Sequence, residues 1–284
     1  AYSQGGTRVR YIIQRINEQI FRDPPAMMDN ILRVTGECHR RLREAGVPDS
    51  SRRALTVIPS VDGGAFRRDG AGNYWRAYLF IEGTRTFDVA QSEKQACEAA
   101  KGFGEFQRLV SQLTGEPLHE TIPRFHHTRS RFDRLREAAE TDSVGRLAEA
   151  REEWEFFQRR EKCADVLLGL EARGEIPSRV THNDTKLNNV LIDDATGEAI
   201  CVVDLDTVMP GLALYDFGDM VRTATSPAEE DERDLSLVGM RMPMFEALVA
   251  GYLASAGAFL NEAELDHLAF SGKLITLETG MRFL

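Results

Sequence analysis

The stretch Thr181-His-Asn-Asp-Thr-Lys-Leu-Asn-Asn-Val190, followed by Val202-Val-Asp-Leu-Asp206, decides how this chain folds. Two apolar, β-branched runs flank a polar turn at residues 193–198 that contains a glycine, and this pattern predicts an antiparallel hairpin. In a hairpin, the start of the first strand lies beside the end of the second. We therefore expect Asn189 and Asp204 to converge at one end of the hairpin.

These two side chains would offer an amide oxygen and a carboxylate to a hard cation, so we predict Asn189 and Asp204 as metal ligands. Mg²⁺ keeps several waters and takes few protein ligands beside phosphate oxygens, so two protein ligands suffice. Asp184, in the loop before the hairpin, is then available as the base that orients an acceptor hydroxyl and accepts its proton. The alternative is a surface hairpin whose Asp and Asn residues merely favour turns.

An aspartate, an asparagine five positions later and an aspartate after a strand are the minimum equipment for moving a phosphoryl group from Mg-ATP to a hydroxyl. Lys186 is placed to reach the γ-phosphate as a point charge, or else is a solvated surface lysine. Asp216-Phe-Gly218 looks like the metal-binding triplet of protein kinases, but a further apolar segment separates it from the hairpin. We predict that Asp216 caps a helix beginning near Phe217 or braces the catalytic loop.

Three segments, at residues 182–189, 202–210 and 214–219, resemble the aminoglycoside phosphotransferase and choline kinase superfamily. Within it, the sequence is most similar to bacterial N-acetylhexosamine 1-kinases, which phosphorylate the anomeric hydroxyl of N-acetylglucosamine and N-acetylgalactosamine. The hairpin motif is specific for the superfamily, and longer segments favour the hexosamine subgroup. The likeness spans most of the chain, since it continues in Tyr11-Ile-Ile-Gln-Arg-Ile-Asn17, Glu120-Thr-Ile-Pro-Arg-Phe-His126 and Thr276-Leu-Glu-Thr-Gly-Met-Arg-Phe283.

The resemblance implies an α+β, bilobal protein-kinase-like fold, with a small β-rich lobe at residues 1–82 and a larger, mostly helical lobe at 83–284. It implies ATP as co-substrate, Mg²⁺ as cofactor and a sugar that becomes the sugar 1-phosphate. An aminoglycoside or choline-type kinase is the enzymatic alternative, and a nucleotide-binding protein without catalysis is the other. From the abrupt ends of the chain, we expect the phosphate loop of the small lobe and a segment closing the sugar site to lie beyond them.

The resemblance also implies a nucleotide site. Phe80, Ile81 and Glu82 would form the hinge whose backbone pairs with adenine, although an ordinary strand exit fits the same residues. Leu191 and Val203 would form the apolar surface beneath the adenine, or are plain core.

Three further residues are predicted to contact the acceptor. Arg282 resembles the position where hexosamine kinases place an arginine near the sugar, or complements the end of its own helix. Asp206 lies two residues after the predicted metal ligand, on the opposite pleat if the strand persists. For His126 we predict a sugar contact and no catalytic role, because paired histidines such as His126 and His127 are more often structural than catalytic.

Some parts of a complete kinase are replaced. No glycine-rich phosphate loop precedes the opening strand, and Gly5-Gly6 is typical of a hairpin turn. Gln14, or Arg15 after a one-residue slip, stands where a strand lysine is expected, so we assign Gln14 to the nucleotide site. Its helix partner would be Asn30 or Glu37, and Gln14 with Asn30 would form a neutral pair.

The composition of the chain limits the class of protein, its compartment and its ligands. The chain has 284 residues and 42% hydrophobic content, enough for two lobes, and no apolar run or leader that would favour a membrane. Four scattered cysteines without a C-x-x-C pair argue against zinc and disulfides and favour the cytoplasm. A net charge of −10 disfavours nucleic acid but suits a neutral sugar or a cationic antibiotic.

Hydrophobic periodicity predicts the secondary structure of most of the chain. Capping-box patterns at Ser92 with Gln95 and at Asn261 with Glu264 mark the starts of two helices. The predicted strands lie at 9–16, 55–60 and 74–81, and the predicted helices at 26–44, 93–113, 131–140, 146–172, 217–223, 233–255 and 262–283.

Overall fold

The first third of the chain forms antiparallel strands and one long helix in this computed structural model, which describes residues 2–4, 7–228 and 232–284. In order, the elements are β1 (Tyr2–Gln4), β2 (Thr7–Val9), β3 (Tyr11–Arg15), α1 (Pro24–Glu44), β4 (Val57–Ile58), β5 (Arg67–Arg68) and β6 (Tyr74–Leu79). β6 is central, because it pairs with β3, β4 and β5. The predicted strands and the predicted helix of this region are confirmed, although β4 is shorter than expected.

A separate hairpin precedes this sheet. β1 and β2 pair antiparallel, with Gln4 opposite Thr7. The turn that we predicted at Gly5-Gly6 lies outside the described residues.

The rest of the chain is mainly helical and surrounds two short β-ribbons. β9 and β10 form the predicted hairpin, with β7 added at its edge, while β8 pairs with β11. In order, the elements are β7 (Thr84–Arg85), α2 (Glu93–Val110), α3 (Thr128–Thr141), α4 (Arg151–Gln158), α5 (Val166–Ala172), β8 (Arg179–Thr181), β9 (Val190–Asp193), β10 (Ala199–Val202), β11 (Met209–Gly211), α6 (Ala213–Ala224), α7 (Met242–Ala256), α8 (Glu262–Asp266) and α9 (Leu268–Phe283).

Helix packing fixes the ribbons in place. α2 packs against α7 and α6 against α9, and α2 also contacts β10. A Cβ on Gly251 would lie 2.0 Å from the carbonyl oxygen of Cys97, and one on Gly218 would lie 2.5 Å from the carbonyl oxygen of Ser271. A side chain at either glycine would push the paired helices apart. Among the described residues, no helix combines the length and apolar character needed to cross a bilayer.

The single helix predicted at 146–172 is wrong. The segment is divided into α4, a 3₁₀ turn at Glu161–Asp165 and α5. Arg129 on α3 donates to the carboxylates of Glu161 at 2.8 Å and Asp165 at 2.7 Å. These ion pairs tie both ends of the turn to α3 and favour the tighter winding there.

Two other helices differ from their predictions. The helix predicted at 233–255 begins only at Met242, because Pro243 occupies the first turn, where its missing N–H costs nothing. The helix predicted at 262–283 is divided at His267, although the capping box of Asn261 and Glu264 at its start is confirmed.

At α2, Ser92 caps the helix by accepting the N–H of Gln95 at 3.3 Å, and the helix ends at Val110. In a complete capping box, the Gln95 side chain would accept the N–H of Ser92. Here it accepts the N–H of Gln91.

Candidate active site

The loop at residues 182–189 is held by one buried carboxylate. Asp216 accepts the backbone N–H groups of His182 at 2.9 Å and Asn183 at 2.7 Å, and Gln107 donates to it at 2.6 Å. Burial raises the pKa of Asp216, while His182 and the three donors oppose that effect. Asp216 therefore braces the loop, which was one of its two predicted roles. It does not cap α6, which begins three residues earlier, at Ala213.

Asn183 adopts a left-handed backbone conformation, with a φ of 65°. Its side chain compensates for this strain by donating to the carbonyl of Thr207 at 2.9 Å and accepting from the Thr181 hydroxyl at 3.0 Å. Gly211 makes room for the arrangement, because a Cβ there would lie 2.4 Å from the Thr181 hydroxyl oxygen. The turn thus directs the next residue, Asp184, away from β8.

His182 joins this loop to the end of β10. Its Nε2 donates to the carbonyl of Val203 at 2.9 Å, and its Nδ1 accepts the backbone N–H of Asp184 at 3.3 Å. The ring is fully buried and meets Phe103 and Phe106 edge-on. These two bonds fix Asp184 relative to the residues that follow the hairpin.

The predicted convergence at the open end of the hairpin is confirmed. Val190 lies opposite Val202, and the N–H of Val203 donates to the carbonyl of Asn189 at 2.9 Å. Asp204, the next residue, leaves the strand with a φ of 58°. Asn189 and Asp204 therefore lie at the same end of the ribbon.

The electrostatics at this end suit a cation. The Asn189 amide nitrogen donates to the carbonyl of Asp184 at 2.8 Å and to its carboxylate at 3.2 Å, so the amide oxygen is the atom left for a metal. Burial, and then the neighbouring carboxylate of Asp206, raise the pKa of Asp204. A divalent cation would relieve this repulsion, so the residues fit Mg²⁺. The Lys186 ammonium lies 3.5 Å from the Asp184 carboxylate.

A cleft of about 310 Å³ opens between the central sheet and the hairpin. Glu82 is predicted to form part of the hinge. Its side chain forms an ion pair with Arg10, and its backbone carbonyl accepts a hydrogen bond from Arg52 at 2.8 Å. A hinge contact by Glu82 stays a prediction. The structure brings six of the residues predicted for the nucleotide and the metal together in the lining of this cleft: Gln14, Phe80, Ile81, Leu191, Val203 and Asp204.

Sequence reasoning missed Arg76, which lines the same cleft. Arg76 is 5% exposed, its Nε donates to Gln14 at 3.2 Å, and it forms an ion pair with Asp206. The signal was present in the sequence as a cation within the otherwise apolar run Tyr74–Leu79. Asp206 does not lie on an opposite pleat, because β10 ends at Val202 and Leu205–Thr207 forms a 3₁₀ turn.

The neutral pair considered for Gln14 and Asn30 is wrong. The amide nitrogen of Asn30 donates to the carbonyls of His119 at 2.8 Å and Val208 at 3.0 Å. The other candidate, Glu37, pairs with arginines on its own helix, α1. Helix α1 thus places neither residue beside Gln14.

His126 links the segment before α3 to the loop at residues 182–189. Its Nε2 bonds to the carbonyl of Asn183 at 3.1 Å, and its Nδ1 bonds to Glu278 at 2.9 Å. Burial opposes ionisation, but the hydrogen bond and charge of Glu278 raise the pKa of His126. Arg282 stacks over the ring of Phe125 at 5.7 Å. Sugar contacts by His126, Asp206 and Arg282 stay predictions.

Solved structures of small-molecule kinases share this fold. The amicoumacin kinase hAmiN, in complex with AMP-PNP, Ca²⁺ and Ami, is 14% identical, with a TM-score of 0.56 over 99% of this chain and 85% of its own. Aminoglycoside phosphotransferase APH(3'')-Id from Streptomyces rimosus, in complex with ADP and streptomycin, is 16% identical, with a TM-score of 0.52 over 94% of this chain and 86% of its own. Ethanolamine kinase from Plasmodium vivax is 14% identical, with a TM-score of 0.52 over 95% of this chain and 68% of its own.

These likenesses confirm the expected kinase-like fold of mixed helices and sheets. The sequence model of the APH family, described as a phosphotransferase enzyme family, matches residues 4–260, which is nearly the whole chain. With its fold and its sequence in agreement, the chain belongs to the APH phosphotransferase enzyme family.

Proposed function

We propose that this protein transfers the γ-phosphate of Mg-ATP to the anomeric hydroxyl of an N-acetylhexosamine. The observation that carries the transfer step is the position of Asp184. Its carboxylate is held by Asn189 at 3.2 Å, at the end of the hairpin where Asp204 borders the cleft. Phosphoryl transfer requires a base that lies beside the metal ligands and the nucleotide cleft.

The nucleotide would occupy the cleft between two lobes, residues 1–82 and 83–284. Leu191 and Val203 would support the adenine from below, and Phe80 and Ile81 would border it at the hinge. Relatives solved with ADP, or with AMP-PNP and Ca²⁺, support a nucleotide and a divalent cation for this chain.

In the reaction, the acceptor oxygen bonds to the γ-phosphorus while the bond from that phosphorus to the β–γ bridging oxygen breaks, and ADP leaves. The acceptor proton passes to the Asp184 carboxylate late in the reaction, because the transition state is loose. Lys186 would stabilise charge on the transferred group. Mg²⁺ bound by Asn189 and Asp204 would neutralise charge on the phosphate oxygens.

Side chains of both signs, Glu120 and Arg124 among them, line the cavity beside Asn183, so charge alone does not choose between a neutral and a cationic acceptor. Burial and the neighbouring guanidinium of Arg282 lower the pKa of Arg131. The Nε of Arg131 is buried and has no hydrogen-bond partner within the described part of the chain. The carboxylate of Glu278 opposes this effect on the pKa of Arg131, so the choice of a sugar as first candidate rests on the resemblance in the sequence. The relatives named for aminoglycosides and ethanolamine keep an amine-bearing acceptor as the second candidate.

An acceptor panel decides between these candidates. ADP release is measured with N-acetylglucosamine, N-acetylgalactosamine, choline and kanamycin, and the product is identified by ³¹P NMR. We expect a sugar 1-phosphate, and no product from 1-O-methyl-N-acetylglucosamine, in which the anomeric hydroxyl is blocked. Turnover of kanamycin or choline alone would overturn the sugar assignment. Calorimetric binding of Mg-ATP without turnover of any acceptor would indicate a non-catalytic nucleotide-binding protein.

A further inference from the structure

We propose that Arg76 is the cation that binds the nucleotide phosphates, in place of the lysine that kinases carry on β3. The inference rests on the proposed function, because it assigns a residue within the same nucleotide cleft. It also assigns Asp206 as the partner that positions Arg76.

The pairing of the strands places the cation on β6 and not on β3, but at the same position in the cleft. Gln14 on β3 lies directly opposite Arg76 on β6. Side chains of directly opposed residues lie on the same face of a sheet, and these two are hydrogen bonded at 3.2 Å. Arg76 therefore reaches the region that a longer cationic side chain at Gln14 would occupy.

The partner of the cation has also moved. In protein kinases, the strand lysine pairs with a glutamate of the following helix. Here the helix residues Asn30 and Glu37 are engaged elsewhere, and Arg76 instead pairs with Asp206. Asp206 lies two residues after Asp204, in the turn Leu205–Thr207. The ion pair thus connects the central sheet directly to the segment that carries the predicted metal ligand.

The guanidinium retains hydrogen-bonding capacity for a phosphate. An arginine has five N–H groups, and among the described residues Arg76 makes one hydrogen bond from Nε to Gln14 and one from a terminal nitrogen to Asp206. Asp206 neutralises one positive charge, while Asp204 in the same cleft is left for a cation. Tyr78 adds a second polar group: its ring lies 5.2 Å from the guanidinium, and its buried hydroxyl has no partner in the described chain. The cleft is therefore polar where phosphates would lie and apolar at Leu191 and Val203.

Calorimetry with Mg-ADP and with adenosine separates phosphate binding from adenine binding. We expect Arg76→Gln to weaken Mg-ADP binding by about ten- to a hundredfold, as loss of a charged hydrogen bond predicts, and to change adenosine binding less than about twofold. The double variant Gln14→Lys/Arg76→Gln should recover most of the affinity, because it returns a cation to β3. Arg68→Gln removes a charge from the neighbouring strand and should leave both ligands unaffected.

Unchanged Mg-ADP affinity in folded Arg76→Gln would overturn the inference and leave the proposed function intact. A wild-type protein that binds neither Mg-ATP nor Mg-ADP would overturn the proposed function itself. A crystal structure of the wild-type protein with Mg-ADP gives a result that no folding defect of a variant can obscure. An Arg76 nitrogen within about 3.5 Å of a phosphate oxygen supports the inference, and the absence of that contact contradicts it.

Discussion

Asp216 accepts the backbone N–H of Asn183 at 2.7 Å, although the two residues are 33 positions apart in the sequence. The same carboxylate accepts the N–H of His182, so one buried group fixes two consecutive peptide units just before Asp184. Its role is to orient main-chain atoms of the loop.

Replacing this carboxylate with an amide should destabilise the protein. Asp216→Asn presents an NH₂ group to at least one backbone N–H, which leaves a buried donor without an acceptor. We expect the free energy of unfolding in urea to fall by about 2–4 kcal/mol. Asp133→Asn is the control, since Asp133 is half-buried on α3 and pairs with Arg129 and Arg136 of the same helix. A loss no greater than that of Asp133→Asn would show that the loop is held by other contacts.

Asp184→Asn tests the base. The variant keeps the size of the side chain but cannot accept the hydroxyl proton, so kcat should fall by about 10²- to 10⁴-fold. The Kd for Mg-ATP, measured by calorimetry, should remain close to the wild-type value. Asp194→Asn, in the distant turn of the same hairpin, should retain full activity. Equal turnover by the wild type and Asp184→Asn would remove Asp184 from the mechanism.

Asp204→Asn should have opposite effects on stability and on metal binding. The pKa of Asp204 is raised above its ordinary value of 3.8, so the folded state binds this proton more tightly than the unfolded state. Stability is therefore lost as the pH rises from 3.8 through the raised pKa, and the ionised carboxylate destabilises the metal-free protein at pH 7.

We expect Asp204→Asn to have a higher Tm than the wild type at pH 7 in EDTA. Mg-ADP should raise the Tm of the wild type by binding the folded state, and should raise that of the variant much less. A lower Tm for the variant in EDTA would contradict the assigned origin of the shift.

His126 predicts a second pH dependence. Its folded-state pKa is raised above 6.5 by Glu278, so the stability that the charged pair contributes is fully present below pH 6.5. That stability is lost as the pH rises through the folded-state pKa. His126→Gln should flatten the dependence of Tm on pH in this interval. His119→Gln removes an exposed histidine and should leave the wild-type slope unchanged, whereas an equal slope in His126→Gln would exclude the pair as its source.

Local rules were sufficient to predict the hairpin and the meeting of Asn189 with Asp204, because both follow from two adjacent strands and one turn. The position of Arg76 could not be predicted in this way. It depends on the register between β3 and β6, whose paired residues Gln14 and Arg76 are 62 positions apart. For the same reason, the sequence indicates Asn30 of helix α1 as a partner of Gln14, whereas the fold directs its amide to the carbonyls of His119 and Val208.

The break after α4 has a comparable cause. No proline interrupts residues 146–172, so periodicity alone indicates one helix. The ion pairs of Arg129 with Glu161 and Asp165 come from a different helix and override that local preference.

His126 reaches the loop at residues 182–189 through the carbonyl of Asn183, and Asp216 reaches it through N–H groups. Every amino acid except proline supplies both kinds of group. The position of Asp184 is therefore insulated from changes in the side chains that would face an acceptor, at residues 120–125 and at the end of α9. Substitutions of those side chains would thus change which acceptor is recognised without moving the proposed base, Asp184.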